Sequence, residues 1–197
     1  ETGCNFYNGR GQLYAVLPYA KLREEAQSLA RRLCGLGLER GARVALVAET
    51  NPDFLRFFFA CQYAGLVPTP LPASVHLGSH KSYVDQLRSF LISCRASVAM
   101  APDGFVPFLA EAAEGLDLRF VASPQAFAEL PERATELEPL EPSEVAYLQY
   151  TSGSTRFPRG VAITQSAVMS NLEGITKHGL KIRPGDRSVS WLPSYHD

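Results

Sequence analysis

Residues 150–161 read YTSGSTRFPRGV, and this stretch holds the residue types best suited to chemistry. Four hydroxyl residues, Thr151, Ser152, Ser154 and Thr155, surround Gly153, with Arg156 and Arg159 close behind. Glycine lets a backbone turn so that several N–H groups converge on an anion, and small hydroxyls add donors without bulk. An arginine grips phosphate oxygens with two parallel N–H bonds. The combination suits a polyphosphate. Neither G-x-x-x-x-G-K-[ST] nor G-x-G-x-x-G occurs, so the common nucleotide loops are not the source of this pattern. Clusters of Ser, Thr and Gly also make ordinary exposed turns. What sets this one apart is its place, after the apolar run 145–150 (VAYLQY) and before Pro158 and Gly160. Open α/β sheets take their ligands at the carboxyl ends of strands.

Other reactive residues carry less. His76 and His80 are four apart, but they sit in a Pro/Gly/Ser-rich connection without an acidic or cysteine neighbour, which favours solvent-facing rings over a metal site. His178 follows Lys177 at a helix end, where a cation suits the helix dipole. Glu24 and Glu25 belong to a solvated helix face. Cys4, Cys34, Cys61 and Cys94 are far apart with no C-x-x-C pair, and three fall in apolar helical patterns. Reduced, buried thiols in a cytoplasmic protein are expected, with no metal bound. The 19 Lys and Arg balance 20 Asp and Glu, so no long-range field draws the chain to nucleic acid. No apolar run reaches the ~18 residues of a transmembrane helix. The richest, 54–65, is interrupted by Arg56 and Gln62.

The elements that would carry these residues follow from periodicity. Residues 4–16 predict a β-hairpin turning at Asn8-Gly9. Leu22, Ala26, Leu29, Ala30 and Leu33 mark one face of a helix that Gly35, Gly37 and Gly41 terminate. The run 44–48 (VALVA) is a strand buried on both faces. Asn51-Pro52 opens a helix over 53–64, apolar nearly all round, and 66–71 is a strand closed by Pro68, Pro70 and Pro72. Tyr83, Leu87, Phe90, Leu91 and Cys94 repeat the helical spacing. A strand at 98–101, a helix at 105–113 and a strand at 118–122 continue the alternation. The fold class is therefore α/β: a mainly parallel sheet covered by helices on both faces, with a short N-terminal hairpin. The Pro/Glu-rich stretch 130–143 reads as a surface linker. After it come strands at 145–150 and 161–164, a helix over 166–178 and a last strand at 188–192.

The ordered string YTSGST-x-x-P-[KR]-G-V resembles the phosphate loop of the adenylate-forming superfamily, which includes acyl-CoA synthetases, luciferases and peptide-synthetase adenylation domains. The forms LQYTSGSTR (148–156) and SWLPSYHD (190–197), together with 6–13 and 49–72, are most similar to its fatty acyl-AMP ligases. The resemblance implies that Thr151, Ser152, Gly153, Ser154 and Thr155 close over the β- and γ-phosphates of ATP. Arg159 stands where the loop's usual lysine would be. His196 falls at the motif position near the acyl carboxylate and the adenylate; without the resemblance it reads as a hydrogen-bonded turn histidine. Trp191 and Tyr195 read as core aromatics or acyl-pocket residues.

The resemblance further implies a ligase that converts a fatty acid and Mg·ATP to acyl-AMP and pyrophosphate, then transfers the acyl group to the thiol of an acyl carrier protein. An acyl-CoA synthetase, with CoA as acceptor, is the nearest alternative; a non-catalytic homologue that kept the fold is another. Residues 1–197 correspond to the N-terminal portion of the AMP-binding domain. The adenine, ribose and Mg2+ ligands and the C-terminal lid domain are expected beyond Asp197. Such a piece is expected to be inactive alone and to self-associate through the edge of strand 188–192.

Overall fold

The structure, a computed structural model, describes residues 2–73, 79–151 and 159–195. It opens with strands β1 (Gly3–Tyr7) and β2 (Leu13–Pro18), paired antiparallel. The hairpin is as predicted, but its turn is not. Gly11, with φ of 74°, is the residue in the left-handed region, not Gly9. The side-chain oxygen of Asn8 accepts from the amides of Arg10 and Gln12, both at 3.0 Å. Asparagine thus satisfies the connection locally and lengthens it beyond a two-residue turn.

Helix α1 (Tyr19–Gly35) buries the five predicted residues, Leu22, Ala26, Leu29, Ala30 and Leu33. It is followed by β3 (Arg43–Val47), α2 (Pro52–Tyr63), β4 (Val67–Leu71), α3 (His80–Cys94) and β5 (Ala96–Met100). Next come α4 (Val106–Ala113), β6 (Phe120–Ala122) and the short α5 (Pro124–Ala128). Asn51 caps α2 by accepting from the Phe54 amide at 3.0 Å, with Pro52 at the first helical position.

Four strands form one parallel sheet in the order β4-β3-β5-β6. Alternation along β3 serves two cores. Val44 and Leu46 face α1, α2 and α5, whereas Ala45 and Val47 face α3 and α4. Both faces are covered, as a continuous apolar strand requires. On the first face Phe127 is fully buried, its ring meeting Phe57 at 5.0 Å and Phe120 at 4.8 Å, nearly edge-on to each.

Pro68 and Pro70 lie inside β4 rather than ending it. The Val67 amide donates to Ala42 O and Leu71 O accepts from Ala48, so alternate residues face β3 and the two prolines turn their nitrogens to the outer edge. That edge is where proline does least damage. Helix α2 is less uniformly buried than its composition suggests. Phe59 is exposed, and Arg56 pairs with Glu25 (2.6 Å) and Asp53 (2.7 Å). Glu25 is accordingly an inter-helix partner, not a member of a merely solvated face.

Residues 130–143 run over the surface without regular structure, as expected. Strands β7 (Val145–Thr151) and β8 (Arg159–Thr164) then pair antiparallel as a separate two-stranded sheet, with β7 alongside β4. Helix α6 (Gln165–Glu173) gives way to a wider π-type turn over Gly174–Gly179, where one continuous helix was predicted. Residues 188–192 form no strand. Val189 and Trp191 are each 88% exposed, with no neighbouring strand among the described residues, so the strand edge expected there is not built and Trp191 is not a core aromatic.

Candidate active site

Thr151 ends β7 and Arg159 begins β8, and the two are register partners, as are Tyr150 and Gly160 behind them. Directly opposed residues of an antiparallel pair project to the same side. A hydroxyl and a guanidinium therefore stand together at the loop end of the hairpin, both exposed. Ser152, Gly153, Ser154 and Thr155 lie outside the described residues, in the connection these arms bracket, and so does Arg156. Among the described residues Arg159 makes no salt bridge. The sequence placed this segment on a buried strand of the parallel sheet. β7 is instead half-buried and belongs to the hairpin, because the prolines on the outer edge of β4 offer it no donors.

The root of the hairpin is held by side chains. Arg40, between α1 and β3, donates to both carboxylate oxygens of Glu144, from Nε at 2.7 Å and Nη2 at 2.6 Å. It also donates to the carbonyls of Glu138 and Pro139, at 2.8 and 2.9 Å. The fork of Arg40, seconded by the Glu141 amide, pulls the Glu144 carboxyl down to about 2. Gln62 of α2 donates to Ala146 O at 2.6 Å and accepts from the side chain of Gln165. Ala146 is the unpaired residue where the β7–β8 register shifts between Val145 and Tyr147, which frees its carbonyl for this bond.

A second group of residues gathers at the carboxyl end of β3. The chain steps from β3 to β4 on one side and later to β5 on the other, which makes this the topological switch point of the sheet. Ser194 Oγ donates to Thr50 Oγ1 at 3.3 Å, and Tyr14 donates its phenolic hydrogen to Thr50 O at 3.0 Å. Tyr83 donates to Pro72 O at 2.8 Å; burial pushes its phenol up, with Tyr195 and Glu49 adding to the shift. Tyr195 is half-buried and packs against the first core. His196 lies outside the described residues, immediately after this docked segment. Among the described residues no hydrogen bond or ion pair joins Thr151 or Arg159 to residues 194–195.

Sequence reasoning did not single out Tyr14, Glu49, Thr50 and Tyr83. The available signal was the polar string Glu49-Thr50-Asn51 directly after a strand buried on both faces. Of the other reactive residues, His80 lies 2.6 Å from Glu111 and against Phe108, while His76 is outside the described residues. All four cysteines are free; Cys61 and Cys94 are buried, and burial pushes the Cys94 thiol up to about 11. A groove of about 520 Å3 between α1, α2 and α5 lies apart from both groups, and its Arg56 is paired with Glu25 and Asp53. Among the described residues no cluster of His, Cys, Asp and Glu is arranged to hold a metal ion, and no helix is long and apolar enough to cross a membrane.

The chain is 46% identical to a Caulobacter vibrioides protein named as an acyl-CoA synthetase, over 100% of this chain and 34% of that protein. It is 34% identical to the long-chain-fatty-acid–AMP ligase FadD32 of Mycolicibacterium smegmatis, over 92% of this chain and 28% of the ligase. A solved structure from a study of fatty acyl-adenylate ligases of E. coli and L. pneumophila superposes with a TM-score of 0.92 at 46% identity, covering 98% of this chain and 35% of that one. The chain thus spans about a third of the length of the relatives it matches. The profile of the AMP-binding enzymes matches residues 8–197, and with the parallel sheet, the N-terminal hairpin and the Thr151–Arg159 arms in place, the chain belongs to the AMP-binding enzyme family.

Proposed function

We propose that this chain is the N-terminal portion of the AMP-binding domain of a ligase that activates a fatty acid as acyl-AMP and passes it to an acyl carrier protein thiol. The observation that carries the reading is the pairing of Thr151 with Arg159 across the mouth of the β7–β8 hairpin. That pairing sets a hydroxyl donor and a fixed positive charge on one side, the donor set a phosphate needs. In this reading Thr151 and Arg159 hold the terminal phosphates of ATP, together with Ser152, Gly153, Ser154 and Thr155. Charge that builds on departing pyrophosphate is met by a guanidinium already in place, so little reorganisation is required. His196, which follows residues 194–195 in sequence, is assigned in this reading to the reacting carboxylate. Mg2+ would neutralise phosphate charge; no residue of this chain is assigned as its ligand.

The name of the Mycolicibacterium relative supports a fatty-acid substrate. The name of the Caulobacter relative supports the second reading, with CoA as the acceptor. The four free cysteines support a reducing compartment, the cytoplasm. Fatty-acid-dependent ATP–pyrophosphate exchange by the whole protein is the direct test. Arg159→Ala should lower exchange ~100-fold, the scale of losing one preorganised charge donor, with Arg159→Lys recovering most of it. Unchanged exchange in Arg159→Ala overturns the assignment. Supplying CoA or carrier protein as acceptor then separates the two readings.

A further inference from the structure

We infer that Tyr150 is a positioning residue whose ring, wedged between Phe90 and Gly160, sets the spacing of Thr151 and Arg159; this rests on the phosphate-binding reading above. The ring of Tyr150 meets Phe90 of α3 with centroids 4.6 Å apart at 63°, and its hydroxyl donates to Phe90 O at 3.4 Å. Phe90 is buried in the second core, so this side of the ring bears on the body of the protein. The other side lies over Gly160, the cross-strand partner of Tyr150. A Cβ at residue 160 would stand 3.3 Å from Tyr150 Cε1 and 3.4 Å from Cζ. The φ of Gly160 is not in the left-handed region, so backbone conformation does not demand glycine there. The ring does. An aromatic lying over a cross-strand glycine is a recognised way of pinning a register.

The consequence lies one residue on. Thr151 and Arg159 are the next pair after Tyr150 and Gly160, so a ring pushed off its seat displaces both arms of the mouth. Displacements on the order of 1 Å suffice to disturb a preorganised site. A side chain added at residue 160 cannot push the ring back, because Phe90 stands behind it. A Cβ at residue 160 therefore asks the Tyr150 ring to give by a few tenths of an ångström against Phe90, whatever ligand approaches the loop.

The test is a double-mutant cycle in the whole protein, read by calorimetric titration with Mg·ATP and by hydrogen exchange of 145–151 and 159–164. Gly160→Ala and Tyr150→Val should each weaken ATP binding about tenfold, by moving the donors of a charge-assisted site. The double variant should bind no worse than the weaker single variant, since the atoms that meet the new Cβ are gone. Tyr150→Phe, which keeps the ring, should restore affinity to within about twofold. Multiplicative losses, near a hundredfold in the double variant, would overturn the inference. So would sub-additive changes in hydrogen exchange without any change in ATP affinity, which would reduce the wedge to packing. Failure of the ligase reading alone would look different: ATP binding and the coupling would persist while fatty-acid-dependent exchange was absent.

Discussion

Replacing Gln62 by leucine should loosen the β7–β8 hairpin while leaving the parallel sheet intact. Gln62 lies in the last turn of α2, and leucine suits a helix at least as well. What it removes is a pair of tethers. The Ala146 carbonyl, at the register shift in β7 and 2% exposed as a residue, accepts from Gln62 at 2.6 Å. Leaving a buried carbonyl without a donor costs about 1–3 kcal/mol, and losing the Gln165 bond costs about 1 kcal/mol more. Leucine recovers part of this through its own burial, so a net loss of about 2 kcal/mol is expected, or ~30-fold in the opening equilibrium. The loss should be local, because the bonds join the hairpin to α2 and not β3 to its neighbours. Hydrogen exchange separates the cases. Amides of β7 and β8 should exchange ~30-fold faster, with those of β3 unchanged. Unaltered exchange in the hairpin, or an equal loss in β3, would refute the tether.

Two further outcomes follow from packing and charge. Phe127→Ala should lower the unfolding free energy by about 3–5 kcal/mol in chemical denaturation, since the ring is fully buried between Phe57 and Phe120 and little can collapse into its space. The carboxyl of Glu144 is held below its ordinary value of 4.5, at about 2, by the Arg40 fork. A depressed carboxylate contributes stability that is complete above 4.5 and is lost as pH falls from there through about 2. Limited proteolysis of 136–144 should therefore rise over that window, and Glu144→Gln should show raised, pH-flat cleavage instead.

Much of the fold was legible because its elements are strongly periodic. The stripe of Leu22, Ala26, Leu29, Ala30 and Leu33 is buried as read, and the run read as a strand over 44–48 is the strand Arg43–Val47, one residue earlier at each end. Asn51-Pro52 marked a helix start by a mechanism, not a frequency. The misses have physical causes too. Asn8-Gly9 looks like a two-residue turn, but nothing local says that the Asn8 side chain will recruit two amides and pass the positive φ to Gly11. Residues 188–192 have the composition of a strand, yet strands exist only in pairs, and no partner lies beside them among the described residues. Thr151 and Arg159 were chosen by residue type. That they face each other depends on the register in which β7 pairs with β8, which residue types alone do not fix.

The same reasoning explains why the mouth of the hairpin is set by side chains rather than by a backbone ladder. β4 is the sheet edge beside which β7 runs, and Pro68 and Pro70 remove the amides that could have zipped β7 into the parallel sheet. A hydrogen-bonded ladder would have fixed β7 by its own periodicity. Without it, side-chain contacts set the orientation, among them the Arg40 fork on Glu144 and Gln62 on Ala146 at the root, Tyr147 on Phe58, and Tyr150 on Phe90 next to Thr151. Arg40 has its own condition. Gly65, with φ of 67°, leaves no Cβ where one would stand 2.5 Å from the Arg40 guanidinium. Substitutions at residues 40, 62, 65 and 150 should therefore act on phosphate binding from outside the site. The prolines of β4 are the reason they can: they make the hairpin a separately seated part, whose seat is where binding can be tuned.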